Sequence, residues 1–174
     1  ISSVGGTMNM VTKSTEAQKG GSAYFGIGND GFRKYSVSFS TGLMDNGWAI
    51  TFMGSLNTGD GYVKGTNYEG WTYFGNISKV INDHHKLSLT AFGAPQWHNQ
   101  RSTMHYIEDY KNSPDGGRFN NGYGYINGEA VGSGYGYNYY HKPQVSLNHY
   151  WTIDEKSTLT TSLYGSMATG GGRR

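Results

Sequence analysis

Along most of this chain apolar and small polar side chains alternate with a period of two, the spacing of a β-strand and not the 3.6 of a helix. The pattern dominates from about Ser22 onward. Tyr35, Val37, Phe39, Thr41 and Leu43 alternate with Lys34, Ser36, Ser38, Ser40 and Gly42. Trp48, Ile50, Phe52, Gly54 and Leu56 then alternate with Ala49, Thr51, Met53, Ser55 and Asn57. Between them Asp45-Asn46-Gly47 supplies positive φ at low cost, which predicts a hairpin of stated register. A second hairpin is predicted from Trp71, Tyr73, Gly75 and Ile77, a turn at Asn82 to His85, and Leu87, Leu89, Ala91 and Gly93, with Thr72, Phe74, Asn76, Ser78, Ser88, Thr90 and Phe92 on the other face. A third follows. Val145, Leu147, His149 and Trp151 oppose Gln144, Ser146, Asn148 and Tyr150, a turn falls at Asp154-Glu155-Lys156, and Leu159, Thr161, Leu163, Gly165 and Met167 complete it.

With Ser22 to Asn29 as the opening strand, seven strands are expected, several of about 9 to 11 residues, the length that crosses a bilayer when tilted. Their connections differ by end. Asp45 to Gly47, Asn82 to His85 and Asp154 to Lys156 are short, whereas Asn57 to Gly70 and Pro95 to Lys142 are long and rich in Gly, Asn and Tyr. Membrane barrels of bacteria pair short periplasmic turns with longer outer loops, and the short stretch Asn29 to Arg33 is the exception here. Trp48 and Trp151 fall beside the short turns, and Tyr35, Trp71 and Tyr73 toward the other ends, where interfacial girdles sit.

Composition fits this reading. Gly is 28 and Tyr 15 of 174 residues, charged residues are 15%, and Cys is zero, so neither a disulfide framework nor a thiolate metal site is available. A net charge of +2, spread along the chain, implies neither DNA nor RNA as a partner. The mean hydropathy of -0.63 and the absence of a long apolar run exclude a membrane helix and leave a barrel open, since its strands show lipid every second side chain. The stretch that opens at Ile1 shows neither a basic n-region nor an apolar h-region, so no signal peptide is expected within this chain. The alternative on pattern alone is a soluble antiparallel sandwich. Its strands would be nearer 5 to 6 residues, and its inward face richer in Val, Ile and Leu.

Gly5-Gly6-Thr7-Met8-Asn9-Met10-Val11-Thr12-Lys13 resembles the GG-x-x-N-x-x-T-K signature that closes the plug domain of TonB-dependent outer-membrane receptors, just before their first barrel strand. The matching positions are Gly5, Gly6, Asn9, Thr12 and Lys13, and Met8 and Met10 stand where the family more often has Ile or Val. Ala91 to Arg101 resembles a segment of Bacteroidetes members in which a barrel strand runs into an outer loop. The resemblance implies an all-β fold: an antiparallel transmembrane β-barrel, here partial with about seven strands, preceded by the last strand of a plug. Residues 1–20 would be the end of the plug and its linker, and 21–174 the first part of the barrel, with an extracellular loop at about 95–141. Members enclose the plug in about 22 strands, so the chain would hold about a third of the wall and be a portion of a larger protein. It further implies import of a scarce solute across the bacterial outer membrane, with outer-membrane lipid, the TonB complex through parts absent here, and a surface lipoprotein as partners. The cargo stays open among metal chelate, haem, cobalamin, glycan and peptide. A passive porin or adhesin barrel and a secreted carbohydrate-binding β-sandwich are the alternatives.

No residue is expected to perform bond chemistry, and no cofactor or metal is expected. His84-His85 stand beside Asp83 in a turn, and the spacing of His98 and His105 matches no short metal motif. Glu108, Asp109 and Asp115 lack a partnered base or nucleophile. The glycines at Gly20-Gly21 and Gly170 to Gly172 lack the context of a phosphate loop. The best binding candidates are aromatic: Trp97 and His98, and then Tyr123, Tyr125, Tyr135 and Tyr137 in the Gly- and Asn-rich stretch Phe119 to Tyr140, which also holds Tyr139 and Tyr140. Their flat faces suit stacking. Packing of an ordered outer loop on its neighbours is the alternative role for each tyrosine.

Overall fold

The computed structural model describes residues 15, 17–101, 104–127, 129–131 and 136–173. The junction residues Gly5, Gly6, Asn9, Thr12 and Lys13, and the candidate Tyr135, lie outside the described residues. The chain is all-β in character, built on an open antiparallel sheet. Its elements are β1 (Gly20–Ile27), β2 (Arg33–Leu43), β3 (Trp48–Gly59), β4 (Tyr68–Val80), β5 (His85–Gly93), β6 (Gln96–His98), α1 (Ile107–Asn112), β7 (Gly124–Ile126), β8 (Glu129–Val131), β9 (Asn138–His141), β10 (Gln144–Thr152), β11 (Thr158–Ser166) and β12 (Thr169–Gly172). The main order is β1-β2-β3-β4-β5-β10-β11, and β7 and β8 form a separate hairpin.

Three of these strands run on past an interruption. Tyr73 faces Gly93 and Gly70 faces Gln96, an unchanged register, so β6 continues β5 beyond Ala94-Pro95. Pro95 has no N–H to give, yet its carbonyl accepts the N–H of Trp71 at 2.8 Å. In the same way β9 continues into β10 across Lys142-Pro143, because Gln96 faces Tyr140 as Phe92 faces Gln144. β12 continues β11. The segment 95–141 is therefore not wholly a loop: it opens and closes with strands of the sheet, β6 and β9. The Gly, Asn and Tyr content suggested loop throughout, but pairing resumes after each proline: the Pro95 carbonyl keeps its ladder bond, and the Pro143 carbonyl accepts the Ser166 hydroxyl at 2.8 Å. The remaining loop also carries α1 and a 3-10 turn at Gly116–Arg118, where the sequence suggested an irregular chain. β1 begins earlier than expected and ends at Ile27, where Gly28 and Phe32 close the connection.

The short turns form by the expected chemistry. At Asp45 to Gly47 the N–H of Gly47 is given to Met44 O at 2.8 Å, and Gly47 sits at φ +78°. Asn82 Oδ1 accepts the N–H groups of His84 and His85 at 3.0 and 2.9 Å. Asp154 Oδ1 accepts the N–H of Lys156 at 2.8 Å. That bond, with the Ser157 hydroxyl beside it, holds the Asp154 carboxyl below the usual carboxylate range. Near the first turn the register of β2 on β3 shifts between Ser40 and Leu43. Gly42 takes the positive φ of +64° there, while Thr41 Oγ1 accepts the Ile50 N–H at 2.9 Å.

Burial is inverted relative to a protein with an apolar core. In β2 Tyr35, Val37 and Phe39 are exposed while Ser36, Ser38 and Ser40 are half-buried. Across the sheet Ile50, Ile77, Leu89, Leu147 and Leu163 face one another in line, and all of them are exposed. On the opposite face Asn76, Ser78, Ser88 and Thr90 are all buried, together with Ala49, which faces Ser78 and is the buried hydrophobic side chain among the described residues. Asn76, 1% exposed, donates through Nδ2 to Ser88 Oγ at 2.8 Å and Thr90 Oγ1 at 2.7 Å. Ser78 Oγ donates to Asn76 Oδ1 at 2.7 Å and lies 2.9 Å from Ser88 Oγ. Hydroxyl pairs extend this polar face: Ser22 with Ser38 at 2.8 Å, Ser40 with Thr51 at 3.2 Å, and Ser55 with Thr72. A buried amide bonded to three hydroxyls is well placed, and its loss leaves them unpaired. Asn76→Leu is expected to lower stability by about 1–3 kcal/mol, whereas Ser22→Ala, at an exposed pair, leaves the midpoint of chemical unfolding nearly unchanged.

Candidate functional site

The end of the sheet away from the short turns gathers three connections into one cluster, because each strand delivers its loop to the same edge. Asp30 lies between β1 and β2, residues 60–67 join β3 to β4, and residues 99–137 join β6 to β9. Backbone bonds tie them together: Asp60 N–H to Asp30 O at 2.8 Å, Lys64 N–H to Arg118 O at 2.9 Å, and Asn99 N–H to Asn67 O at 2.9 Å. Arg118 is the hub. Its guanidinium meets Asp30 Oδ1 at 2.6 Å, gives a bond to Tyr62 O at 3.2 Å, and lies 4.8 Å from the centre of the Tyr62 ring. Lys64 pairs with Asp115 at 2.5 Å. Asn120, buried in the cluster, donates through Nδ2 to Lys64 O at 2.7 Å, and its Oδ1 accepts the Gly122 N–H at 3.1 Å.

Between these loops opens a cavity of about 480 Å³, lined by residues including Asp30, Asp60, Tyr62, Asn67, Arg118 and Tyr123. A second cavity of about 290 Å³ shares Asp60 and Asn67 with the first and adds Arg33, Tyr68, Glu69 and Trp97. Rings, carboxylates, an amide and guanidinium groups therefore line adjoining hollows. Such walls suit a polar ligand with a flat or stackable face, since rings supply area and planar polar groups supply direction. The positive and negative side chains of the larger hollow are paired with each other at Arg118 and Asp30.

The candidates from sequence separate. Tyr123 lines the larger hollow and Trp97 the smaller. Trp97 stacks on Tyr137 with centroids 6.2 Å apart, and Tyr137 lies 6.0 Å from Tyr139. Trp97 also faces Glu69 and Tyr139 across the strands, which puts it on the same face as Trp71. His98 is on the other face, with Nδ1 2.7 Å from Gln96 Oε1. Tyr125 faces Ala130 in the β7–β8 hairpin. Sequence reasoning missed Asp30, Asp60, Tyr62, Arg118 and Asn120. Their partners lie too far along the chain for local spacing to signal them, although Tyr62 in a Gly-rich connection is the kind of residue that singled out Tyr123.

The histidines sort by surroundings. His85 Nδ1 is 3.0 Å from His149 Nε2, the rings stack, and His85 also stacks on Trp151. His105 is enclosed by Tyr110 and Phe119. Among the described residues no group of three or more metal-ligating side chains converges. Replacing Asn120 by Ala is expected to loosen the loop cluster by about 1–2 kcal/mol. The readout is faster amide exchange at Lys64, with the β3–β4 ladder unchanged.

No family model matches the chain, and no curated protein or solved structure is found similar to it, so the functional reading rests on the geometry of the sheet and its loops.

Proposed function

We propose that this chain is part of the wall of a bacterial outer-membrane β-barrel, and that the parent protein is a TonB-dependent transporter importing a scarce solute: a metal chelate, haem, cobalamin, glycan or peptide. The observation that carries the membrane part is a charge-free band on the exposed apolar face. Its middle holds the line Ile50, Ile77, Leu89, Leu147, Leu163 and the line Phe39, Phe52, Gly75, Ala91, Val145, Gly165. Toward the short turns it ends at Trp48 and Lys79, whose ammonium lies 5.1 Å from the Trp48 ring centre. Toward the loops it ends at Arg33, Thr58, Glu69, Trp97 and Tyr139, which face one another in turn.

From Trp48 to Thr58 is about 33 Å along an extended strand, or about 25 Å of height at a tilt of about 40°, which matches the apolar band of outer-membrane barrels. Aromatic residues mark both limits, as interfacial girdles do. On the opposite face the hydroxyl and amide ladder suits a wet interior. No second described sheet packs over either face, which a sandwich would need. The TonB-dependent part rests on the resemblance of Gly5 to Lys13 to the plug signature. In this reading the loop hollows face outward and receive cargo, TonB acts from the periplasmic side, and no residue performs bond chemistry.

In the intact parent protein refolded into bilayers, Ile50→Arg or Leu147→Arg is expected to cost about 2–4 kcal/mol, as a cation facing mid-bilayer lipid does. A change within about 0.5 kcal/mol, usual for an exposed soluble surface, would remove the membrane assignment. Cargo accumulation by cells should also stop when TonB is deleted; uptake that persists would leave a passive porin.

A further inference from the structure

Where β4, β6 and β9 meet near the loops, the apolar face of the sheet holds a small hollow of about 180 Å³, bordered by Glu69, Trp71, Trp97, Tyr137, Tyr139 and His141. Register gathers these residues. Glu69 faces Trp97 and Trp97 faces Tyr139, so a carboxylate and two rings stand side by side on three strands. Trp71 follows Glu69 by two residues along β4 and therefore shares its face. Tyr137 arrives from the end of the long connection, with its ring centre 6.2 Å from that of Trp97 and 6.0 Å from that of Tyr139. Trp71 stays 50% and Tyr139 45% exposed, so both rings remain open to a ligand.

The charge in this hollow has one sign. Glu69 supplies a carboxylate, and Trp71 Nε1 donates to its Oε1 at 2.8 Å, which fixes the group against the indole and leaves its charge unanswered. Among the described residues no lysine or arginine borders the hollow, and none forms an ion pair with Glu69. Arg33 is two strands away, across Thr58, at about 10 Å. His141 is turned toward Tyr73, with Nε2 3.0 Å from the tyrosine hydroxyl. An anion would be repelled by the carboxylate and by the negative faces of the rings. A neutral solute would cover the rings but leave Glu69 without a counter-charge. A cation bearing apolar substituents satisfies both at once. An interfacial girdle accounts for the rings, but it calls for no carboxylate bonded to one of them.

We propose that this hollow binds an organic ammonium group, either a protonated amine or a quaternary ammonium, held against the rings of Trp97, Tyr137 and Tyr139 with Glu69 as its counter-charge. Ring centres about 6 Å apart let one cation lie within reach of two rings. The size selects a single head group, because pockets for drug-sized ligands run from about 300 to 1,000 Å³. An ammonium on a lipid head group and one on a dissolved solute present the same chemistry to these residues. Nothing in that chemistry depends on whether the rest of the apolar face meets lipid.

The test uses the intact parent protein in an uncharged maltoside micelle, which carries no ammonium of its own. Choline, titrated against tryptophan fluorescence, should bind about tenfold more tightly than 3,3-dimethylbutanol, its uncharged isostere. Trp97→Leu should weaken choline binding about tenfold and Glu69→Gln severalfold, with amide protection along β4–β5 retained, while Phe39→Leu at the middle of the same face leaves it unchanged. Transfer to phosphatidylcholine bilayers then separates the sources: loss of the response to added choline assigns the hollow to a lipid head group, and a response that persists assigns it to a dissolved cation. Absence of saturable choline binding, equal binding of the two isosteres, or undiminished choline binding by the Trp97→Leu, Glu69→Gln double variant with its sheet intact would overturn the proposal.

Discussion

The organisation of this protein depends on where the hydrogen-bonding side chains of the sheet can be satisfied. Asn76, Ser78, Ser88 and Thr90 are buried and bonded to one another on one face, while the aliphatic lines stand exposed on the other. Successive residues of a strand alternate between faces, so fixing Asn76 inward fixes Ile77 outward, and the ladder transmits that choice to every strand paired with β4. A slip of one residue would carry the hydroxyls to the apolar side and the aliphatic line to the polar side. In water, leaving the large aliphatic residues of that line uncovered forfeits about 1.5–3 kcal/mol for each one not buried. Hydrocarbon on the exposed side removes that loss without any change to the fold, which is the physical reason for reading the sheet as a membrane wall.

The same ladder delivers the loop hollows. Because β5 runs on through β6, and β9 runs into β10, the sheet extends past Pro95 and Pro143 and carries the long connection clear of the apolar band. The loops then pack on each other and not on a core. Arg118 joins the first connection to the last through Asp30, and Asn120 closes the second through Lys64. The outcome is a pair of adjoining polar hollows set on strand ends, a rigid base beneath an adaptable rim.

Much of the sheet was legible in the sequence because alternation is a local signal. The two faces of β2, β3, β4, β5 and β10 follow from it, and Asn46-Gly47, Asn82 and Asp154 announce their turns. The shift at Gly42 was not, since a bulge shows itself by pairing and not by composition. The continuations past Pro95 and Pro143 were missed for a related reason: a proline removes one donor, and sequence alone does not reveal that the register on either side of it is unchanged. Of the candidate site, Tyr123 and Trp97 line the hollows, yet Trp97 is shared with the aromatic rim of the outward face. Asp30 and Arg118 are 88 positions apart and meet only after the sheet has brought their loops together.

The central claim is that the apolar face touches hydrocarbon while the hydroxyl face looks into an enclosed wet space. Single nitroxide labels placed along β2 and β10 of the intact parent protein in bilayers test it most directly. The account predicts that labels at Val37, Phe39, Val145 and Leu147 are relaxed strongly by oxygen and weakly by a water-soluble nickel complex, with the order reversed at Ser36, Ser38, Ser146 and Asn148. Uniform access of the nickel complex to both sets would contradict it and return the sheet to water.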